Sequence, residues 1–156
     1  AAGFDMKILY YNRSRKPEAE KRLGALYTDL ETLIQESDFI VCMIPLTKET
    51  KGFFGEREFK KMKKTSIFIN ASRGAVVDEA ALISALEAGE IAGAGLDVFE
   101  KEPIGANHPL LQFSNVVALP HIGSASFETR SAMIQLCCEN ITNVLNGEHP
   151  KTEVKP

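Results

Sequence analysis

The sequence predicts an α/β fold in which a parallel sheet is covered by helices on both faces. Short apolar runs alternate along the chain with helical segments, which is typical of parallel strands joined by helical crossovers. Three of these runs lead directly to an ionisable residue: Arg73, Asp97 or His121. Since ligands of open α/β sheets bind outside the carboxyl ends of the strands, these residues predict one composite site.

Composition and charge are ordinary for a globular protein and exclude several classes. The chain has 156 residues, of which 44% are hydrophobic and 25% charged, and its net charge is -3. This charge does not predict a nucleic-acid-binding surface. No apolar run reaches the ~20 residues that a membrane span requires, so we expect no membrane contact. The odd number of cysteines, all in apolar contexts, predicts reduced core residues of a cytoplasmic protein: Cys42, Cys137 and Cys138.

The first third of the chain predicts two strands and two helices. Residues 7–11 are the first strand, and residues 39–44 form a continuous apolar run, which indicates a strand buried on both faces. Pro17 suits the first turn of a short helix that ends near Gly24. Asp29 suits the N-cap of the next helix.

The remainder predicts three further strands and three further helices, with no internal domain boundary. Asp78 is expected to cap a helix that Gly89 ends. The last helix has apolar residues at every fourth position, which form a stripe. The predicted helices are 56–62, 79–88 and about 126–145, and the predicted strands are 67–70, 94–98 and 116–119.

Arg73 and Asp97 are candidate ligand-binding residues. Arg73 follows strand 67–70, and Gly74 allows a sharp turn beside it. A guanidinium is a planar fork that suits a carboxylate or phosphate, but a surface arginine at a strand end has the same pattern. Asp97 could accept hydrogen bonds from an amide ligand or simply form a turn. We predict no metal site.

His121 is the candidate acid/base because histidine titrates near neutral pH. A carboxylate bonded to its imidazole would fix the tautomer and stabilise the protonated form. Two loop acids, Glu100 and Glu102, could be that partner, and their spacing from His121 does not choose between them. His108 and His149 lie in loop-like contexts and are expected at the surface.

The segment after the first strand bears on nucleotide binding. It contains two arginines and no acid: Asn12, Arg13, Ser14 and Arg15. In a dinucleotide-binding fold, an acid at this place accepts from the ribose 2′-hydroxyl of NAD, whereas arginine accommodates the 2′-phosphate of NADP. If the fold binds a dinucleotide, the segment favours NADP; the alternative is a solvated basic turn.

Five collinear segments covering nearly the whole chain together resemble a known family. The chain is similar to the nucleotide-binding domain of the D-isomer-specific 2-hydroxyacid dehydrogenases, and most of all to their glyoxylate/hydroxypyruvate reductase branch. The segments are LYYNRSRK (9–16), IPLT (44–47), INASRGAVVD (69–78), GAGLDVFEKEP (93–103) and PHIGSA (120–125).

The resemblance implies a Rossmann-like doubly wound sheet and a catalytic role for three residues. Arg73 would bind the carboxylate and carbonyl of a small 2-oxo acid such as glyoxylate or hydroxypyruvate. His121 would donate a proton to the carbonyl oxygen, and Glu102 rather than Glu100 would hold and charge His121.

The resemblance also implies contacts with NADP, with NAD as the alternative. Asp97 would bind the nicotinamide carboxamide, and Asn12, Arg13, Ser14 and Arg15 would meet the adenosine phosphate end. The remaining cofactor-binding residues would be Pro45, Ala71, Ser72, Arg73, His121 and Gly123. Members of the family usually dimerise through this domain, so we expect a homo-oligomer.

The family pattern places a first strand and a G-x-G-x-x-G turn before residue 1. We therefore expect residues 1–156 to be an incomplete NAD(P)-binding domain that lacks that strand and the substrate domain. Such a chain is expected to be inactive alone and to bind NADPH weakly or not at all. Without a central first strand, strands 7–11 and 67–70 would have unpaired edges.

Three other classes of protein are alternatives to the reductase. A nucleotide-sensing corepressor of the same fold could keep the same arginine, glutamate and histidine. Formate dehydrogenases usually have an amide at the Glu102 position, so Glu102 argues against that branch. A flavodoxin-like or receiver domain would need an acidic cluster at the first strand, and residues 7–16 offer none.

Overall fold

The computed structural model describes residues 1–154, in which six strands alternate with five α-helices. The strands are β1 (Leu9–Tyr10), β2 (Leu26–Tyr27), β3 (Phe39–Cys42), β4 (Ile67–Asn70), β5 (Gly93–Leu96) and β6 (Val116–Ala118). The helices are α1 (Pro17–Leu23), α2 (Leu30–Glu36), α3 (Glu56–Lys61), α4 (Glu79–Glu87) and α5 (Phe127–Leu145). Residues 1–121 form one compact unit, and α5 belongs to a second unit that begins at Ile122.

The residues predicted from the sequence to begin and end helices lie at helix ends in the structure. The carboxylate of Asp29 accepts a hydrogen bond from the Thr32 N–H at 2.8 Å, and Asp78 accepts from Ala81 N–H at 3.1 Å. Both predicted N-caps are therefore confirmed. Gly89 follows α4 with a φ of 63°, the left-handed conformation that glycine adopts without steric cost at a helix C-terminus.

All strand pairs are parallel, as predicted. β1 pairs with β2, and the other four strands lie in the order β3-β4-β5-β6. The expectation that strand 67–70 has an open edge is wrong, because β4 pairs with both β3 and β5. The open edge expected for strand 7–11 is present among the described strands, because β1 has β2 as its single neighbour. β3 and β6 are the edge strands of the four-stranded sheet.

The four-stranded sheet of the first unit has its core on one face. Ile40 and Cys42 of β3 are each 3% exposed and pack in one cluster with residues of α2, α3 and α4. Phe39 and Val41, which point to the other face, are 49% and 57% exposed. The prediction that this strand is buried on both faces is therefore wrong for the described residues.

The cysteines divide between two environments. Cys42 is buried in the core of the first unit, as predicted. Cys137 and Cys138 lie on α5 and are exposed, so their assignment to a core is wrong. The apolar stripe predicted for this helix is present in its sequence, but α5 contains no buried residue.

Candidate active site

The turn after β4 is held by a buried amide. Asn70 is 1% exposed, and its Nδ2 donates to the carbonyl oxygen of Arg73 at 3.1 Å. Its Oδ1 accepts hydrogen bonds from the backbone N–H of Ser72 at 3.1 Å and from the Ser72 hydroxyl at 2.8 Å. Sequence reasoning missed this role, although a polar residue ending an apolar strand is a signal that could have revealed it.

Arg73 is exposed at the carboxyl end of β4, where its Nη1 donates to the carbonyl of Ser72 at 2.7 Å. The next residue, Gly74, packs directly on the peptide that joins Phe99 to Glu100. A Cβ atom at position 74 would lie 1.8 Å from the carbonyl carbon of Phe99, so the contact requires glycine. The turn of Arg73 is thus fitted against the loop that follows β5.

Glu102 and His121 form a hydrogen-bonded pair. Nδ1 of His121 lies 2.8 Å from Oε2 of Glu102, and Oε1 of Glu102 accepts from the Phe99 N–H at 2.9 Å. The pKa of Glu102 is lowered, first by the bond to His121, then by the Phe99 N–H, with a smaller contribution from the charge of Arg73. Glu102, not Glu100, is therefore the carboxylate that meets the imidazole, and Arg73 lies close enough to act on it.

His121 follows β6 in a strained conformation. Its φ is 56°, a left-handed value that is uncommon for residues other than glycine. Such conformations persist where the surrounding structure fixes them, and they cluster at functional sites. The side chain is 47% exposed, so its imidazole is bound to Glu102 and still accessible.

Asp97 extends the cluster at the same edge of the sheet. It follows β5 directly, and its backbone N–H donates to the carbonyl of Asn70 at 3.0 Å. This bond places Asp97 next to the start of the Arg73 turn.

A cavity of about 570 Å³ lies at the carboxyl ends of β3 and β4. A second cavity, of about 460 Å³, has the Glu102–His121 pair in an otherwise largely apolar wall. The first cavity is lined by four of the predicted cofactor-binding residues together with three apolar neighbours: Pro45, Ala71, Ser72 and Arg73, with Met43, Ile44 and Leu46.

The segment after β1 is exposed, and its two arginines differ. Nη2 of Arg15 lies 2.6 Å from Oε2 of Glu20, and its guanidinium lies 5.8 Å from the centre of the Tyr27 ring. Arg13 has no ion pair of this kind within the described part of the chain. Its neighbours Asn12 and Ser14 are likewise exposed.

The other two histidines differ from each other. His149 is exposed, as expected. His108 lies only partly at the surface, because its side chain is 21% exposed and its Nε2 lies 3.0 Å from Oε1 of Glu79. Gly123 lies in the second unit, so its contact with a cofactor stays a prediction.

The described residues contain neither a membrane-spanning helix nor a group of metal ligands. None of the helices within residues 1–154 combines the length and apolar character that crossing a bilayer requires. In the same range, no three His, Cys, Asp or Glu side chains are grouped so that they could hold a metal ion.

The parallel sheet brings Arg73, Asp97, Glu102 and His121 to the carboxyl ends of its strands, where ligands of open α/β sheets bind. The model of the D-isomer specific 2-hydroxyacid dehydrogenase NAD binding domain matches residues 1–123. The chain therefore belongs to this family, which confirms the resemblance and the Rossmann-like fold.

Individual relatives agree with the family. The chain is 55% identical over 154 residues to glyoxylate/hydroxypyruvate reductase B of Klebsiella pneumoniae strain 342, covering 99% of this chain and 48% of that protein. The chain thus spans about half the length of the curated relatives it matches. It is 54% identical to the protein of the same name from an Escherichia coli strain, with the same coverage.

Solved structures show the same fold. An NADPH-dependent glyoxylate/hydroxypyruvate reductase from Sinorhizobium meliloti, in complex with NADP and malonate, matches with a TM-score of 0.87 at 37% identity, over 97% of this chain and 46% of that one. D-lactate dehydrogenase with NAD+ from Lactobacillus jensenii matches with a TM-score of 0.89 at 34% identity, over 99% and 50% of the two chains.

Proposed function

We propose that the protein containing this chain reduces a small 2-oxo acid, such as glyoxylate or hydroxypyruvate, with NADPH. The observation that carries the proposal is the Glu102–His121 bond of 2.8 Å, with the charge of Arg73 acting on the same carboxylate. The names of the relatives at 54–55% identity support the choice of substrate class.

His121 is the proposed proton donor. Its Nδ1 is hydrogen-bonded to Glu102, so Nε2 is the nitrogen that can donate to the carbonyl oxygen of the substrate. The ionised carboxylate of Glu102 stabilises the imidazolium that must exist before the proton is given up. As negative charge develops on the substrate oxygen, the imidazolium and Arg73 stabilise it.

Arg73 is the proposed anchor for the substrate carboxylate. Its guanidinium can present two parallel N–H donors to a carboxylate, a geometry that lysine cannot provide. The buried amide of Asn70 holds the Arg73 carbonyl at 3.1 Å and so fixes the backbone from which the side chain extends.

The cavity beside Arg73 fits a nicotinamide. Its wall combines apolar side chains with Pro45, Ala71 and Ser72. Asp97, whose backbone N–H donates to Asn70 at the same sheet edge, is the proposed acceptor for the carboxamide. When bound, the cofactor supplies the hydride. His121 is the remaining proposed contact within the first unit. The residues that line the cavity would orient the nicotinamide ring and exclude water from one of its faces.

The segment after β1 is proposed to bind the adenosine end. Asn12, Arg13 and Ser14 would contact it through exposed side chains, and Arg13 would meet the 2′-phosphate of NADP. Arg15 would support them from its ion pair with Glu20. We further propose that residues 1–156 are part of the NAD(P)-binding domain of a cytoplasmic homo-oligomer.

The test is an assay of the full polypeptide encoded by the gene, with glyoxylate or hydroxypyruvate and either NADPH or NADH. We expect turnover with NADPH, and we expect His121→Asn to lower kcat by a factor of about 10²–10⁴, the usual contribution of a general acid. His149→Asn, an exposed histidine in the second unit, is the matched control and should leave kcat unchanged. Nucleotide binding without turnover would instead favour the nucleotide-sensing module.

A further inference from the structure

The backbone on both sides of Phe99 is held by three contacts. The Phe99 N–H donates to Oε1 of Glu102 at 2.9 Å, and the Glu100 N–H donates to Oε2 of Glu79 at 3.1 Å. The backbone of Gly74 packs against the peptide that joins Phe99 to Glu100. Two successive N–H groups are thus bound by two different carboxylates, one in the candidate active site and one at the start of α4.

Glu79 is itself fixed by His108. Oε1 of Glu79 lies 3.0 Å from Nε2 of His108, and Nδ1 of His108 lies 3.3 Å from the backbone N of Leu110. Because a backbone N–H can only donate, Nδ1 is the acceptor and Nε2 carries the proton that Glu79 receives. The two side chains are 17% and 21% exposed, and the His108 ring lies 6.0 Å from the Phe99 ring, edge-on.

We propose that Glu79 and His108 are positioning residues that keep Glu102 bonded to His121. Glu79 belongs to a helix, so it provides a rigid attachment for the loop that carries Glu102. With Glu79 in place, the Phe99–Glu100 peptide has one orientation, which fixes the backbone at Phe99. The Phe99 N–H, on the other side of that residue, then holds the Glu102 carboxylate toward His121. The proposal rests on the proposed function of the Glu102–His121 pair.

A purely structural role for Glu79 makes a different prediction. A carboxylate that only stabilises the loop would lower the free energy of unfolding when removed, without changing kcat of the folded protein. A positioning residue acts on the bond between Glu102 and His121. Its removal lets the Glu102 carboxylate turn away from His121, so kcat should fall while KM for the 2-oxo acid changes little.

The first experiment uses three variants of the full polypeptide. Glu79→Ala should lower kcat/KM roughly 10- to 100-fold, as a small misplacement of a catalytic group does. The loss should lie in kcat rather than in KM, because Arg73 still binds the substrate carboxylate. Glu79→Gln keeps an oxygen for the Glu100 N–H but turns its NH2 group toward the Nε2–H of His108, so it should restore the activity only in part. Glu58→Ala is the matched control, because Glu58 is a half-buried glutamate that accepts from the Gly55 N–H at 3.2 Å. It should lower stability but leave kcat unchanged.

The second experiment needs no catalytic activity. Amide hydrogen exchange reports local opening residue by residue. In Glu79→Ala we expect faster exchange at Glu100, which loses its acceptor, and also at Phe99, whose acceptor is Glu102. His108→Phe keeps an aromatic ring beside Phe99 and should cause a smaller change of the same kind. Unchanged protection of Phe99 in Glu79→Ala would overturn the proposal, whether or not the protein proves to be a reductase.

Discussion

His121 and Glu102 are hydrogen-bonded at the end of β6, and this bond should influence how kcat depends on pH. The Glu102 carboxylate holds the His121 imidazole through the 2.8 Å bond, so Glu102→Gln should lower kcat. The bond to His121 lowers the pKa of Glu102, and the acid limit of activity that protonation of Glu102 sets should disappear in this variant. We expect kcat at neutral pH to fall by a factor of about 10² or more, within the range for general acid catalysis. The measurement is kcat against pH for both proteins, with Glu100→Gln as the control. Equal profiles for Glu102→Gln and the wild type would contradict the assignment.

The same carboxylate should make stability depend on pH. The pKa of Glu102 is lowered in the folded state, chiefly by the bond to His121 and then by the Phe99 N–H. A group of this kind stabilises the fold above its unfolded pKa, about 4.3 for glutamate, and the contribution is lost as the pH falls through the lower folded value. Glu102→Gln should therefore be less stable than the wild type at neutral pH. The difference should disappear in strong acid, as measured by urea unfolding across pH.

Arg13 and Arg15 offer a residue-level test of cofactor choice. Arg13→Ala should weaken the binding of NADPH about 10- to 100-fold, since a hydrogen bond to a charged group contributes about 1.5–3 kcal/mol. The binding of NADH should change little. Arg15→Ala is the comparison, because Arg15 is already paired with Glu20 at 2.6 Å. Its removal should affect the two nucleotides more nearly equally. The readout is the KM for each nucleotide, and an equal loss of both in Arg13→Ala would refute a 2′-phosphate contact.

At the scale of the elements, Gly74 joins two loops of the site. A Cβ at this position would collide with the backbone of Phe99 and Glu100, which cannot rotate away as a side chain can. Gly74→Ala should therefore cost about 1–3 kcal/mol of stability, the usual range for overpacking, and should reduce activity by separating Arg73 from Glu102. Gly105→Ala is the control, because no atom lies within 4 Å of a Cβ built there. Urea unfolding and kcat/KM together check the prediction.

Elements with local causes were predictable, and elements fixed by distant contacts were not. The N-caps at Asp29 and Asp78 follow from a side chain and the next turn of its own helix. β2 was missed because a strand of two residues is too short to show any periodicity. In the site, strand-end residues such as Arg73 stand out in the sequence. The burial of His108 does not, because it depends on Glu79, 29 residues away.

At the scale of the whole first unit, an apolar sequence does not by itself show which face of a strand is buried. Every residue of β3 is apolar, yet only alternate side chains enter the core with α2, α3 and α4. The pattern of residues 39–44 indicates a strand, but which face is covered depends on where the helices of residues 1–121 pack. One-sided packing therefore had to come from the structure.

This asymmetry predicts unequal effects for neighbouring residues of β3 in the chain of residues 1–156. Ile40 is 3% exposed, so Ile40→Ala should leave a cavity and cost about 2–5 kcal/mol of unfolding free energy. Val41 is 57% exposed, and Val41→Ala should cost less than about 1 kcal/mol because most of its side chain already contacts water. Urea unfolding of the two variants beside the wild type measures both values. A loss for Val41→Ala as large as that for Ile40→Ala would mean that the second face of the sheet is covered as well.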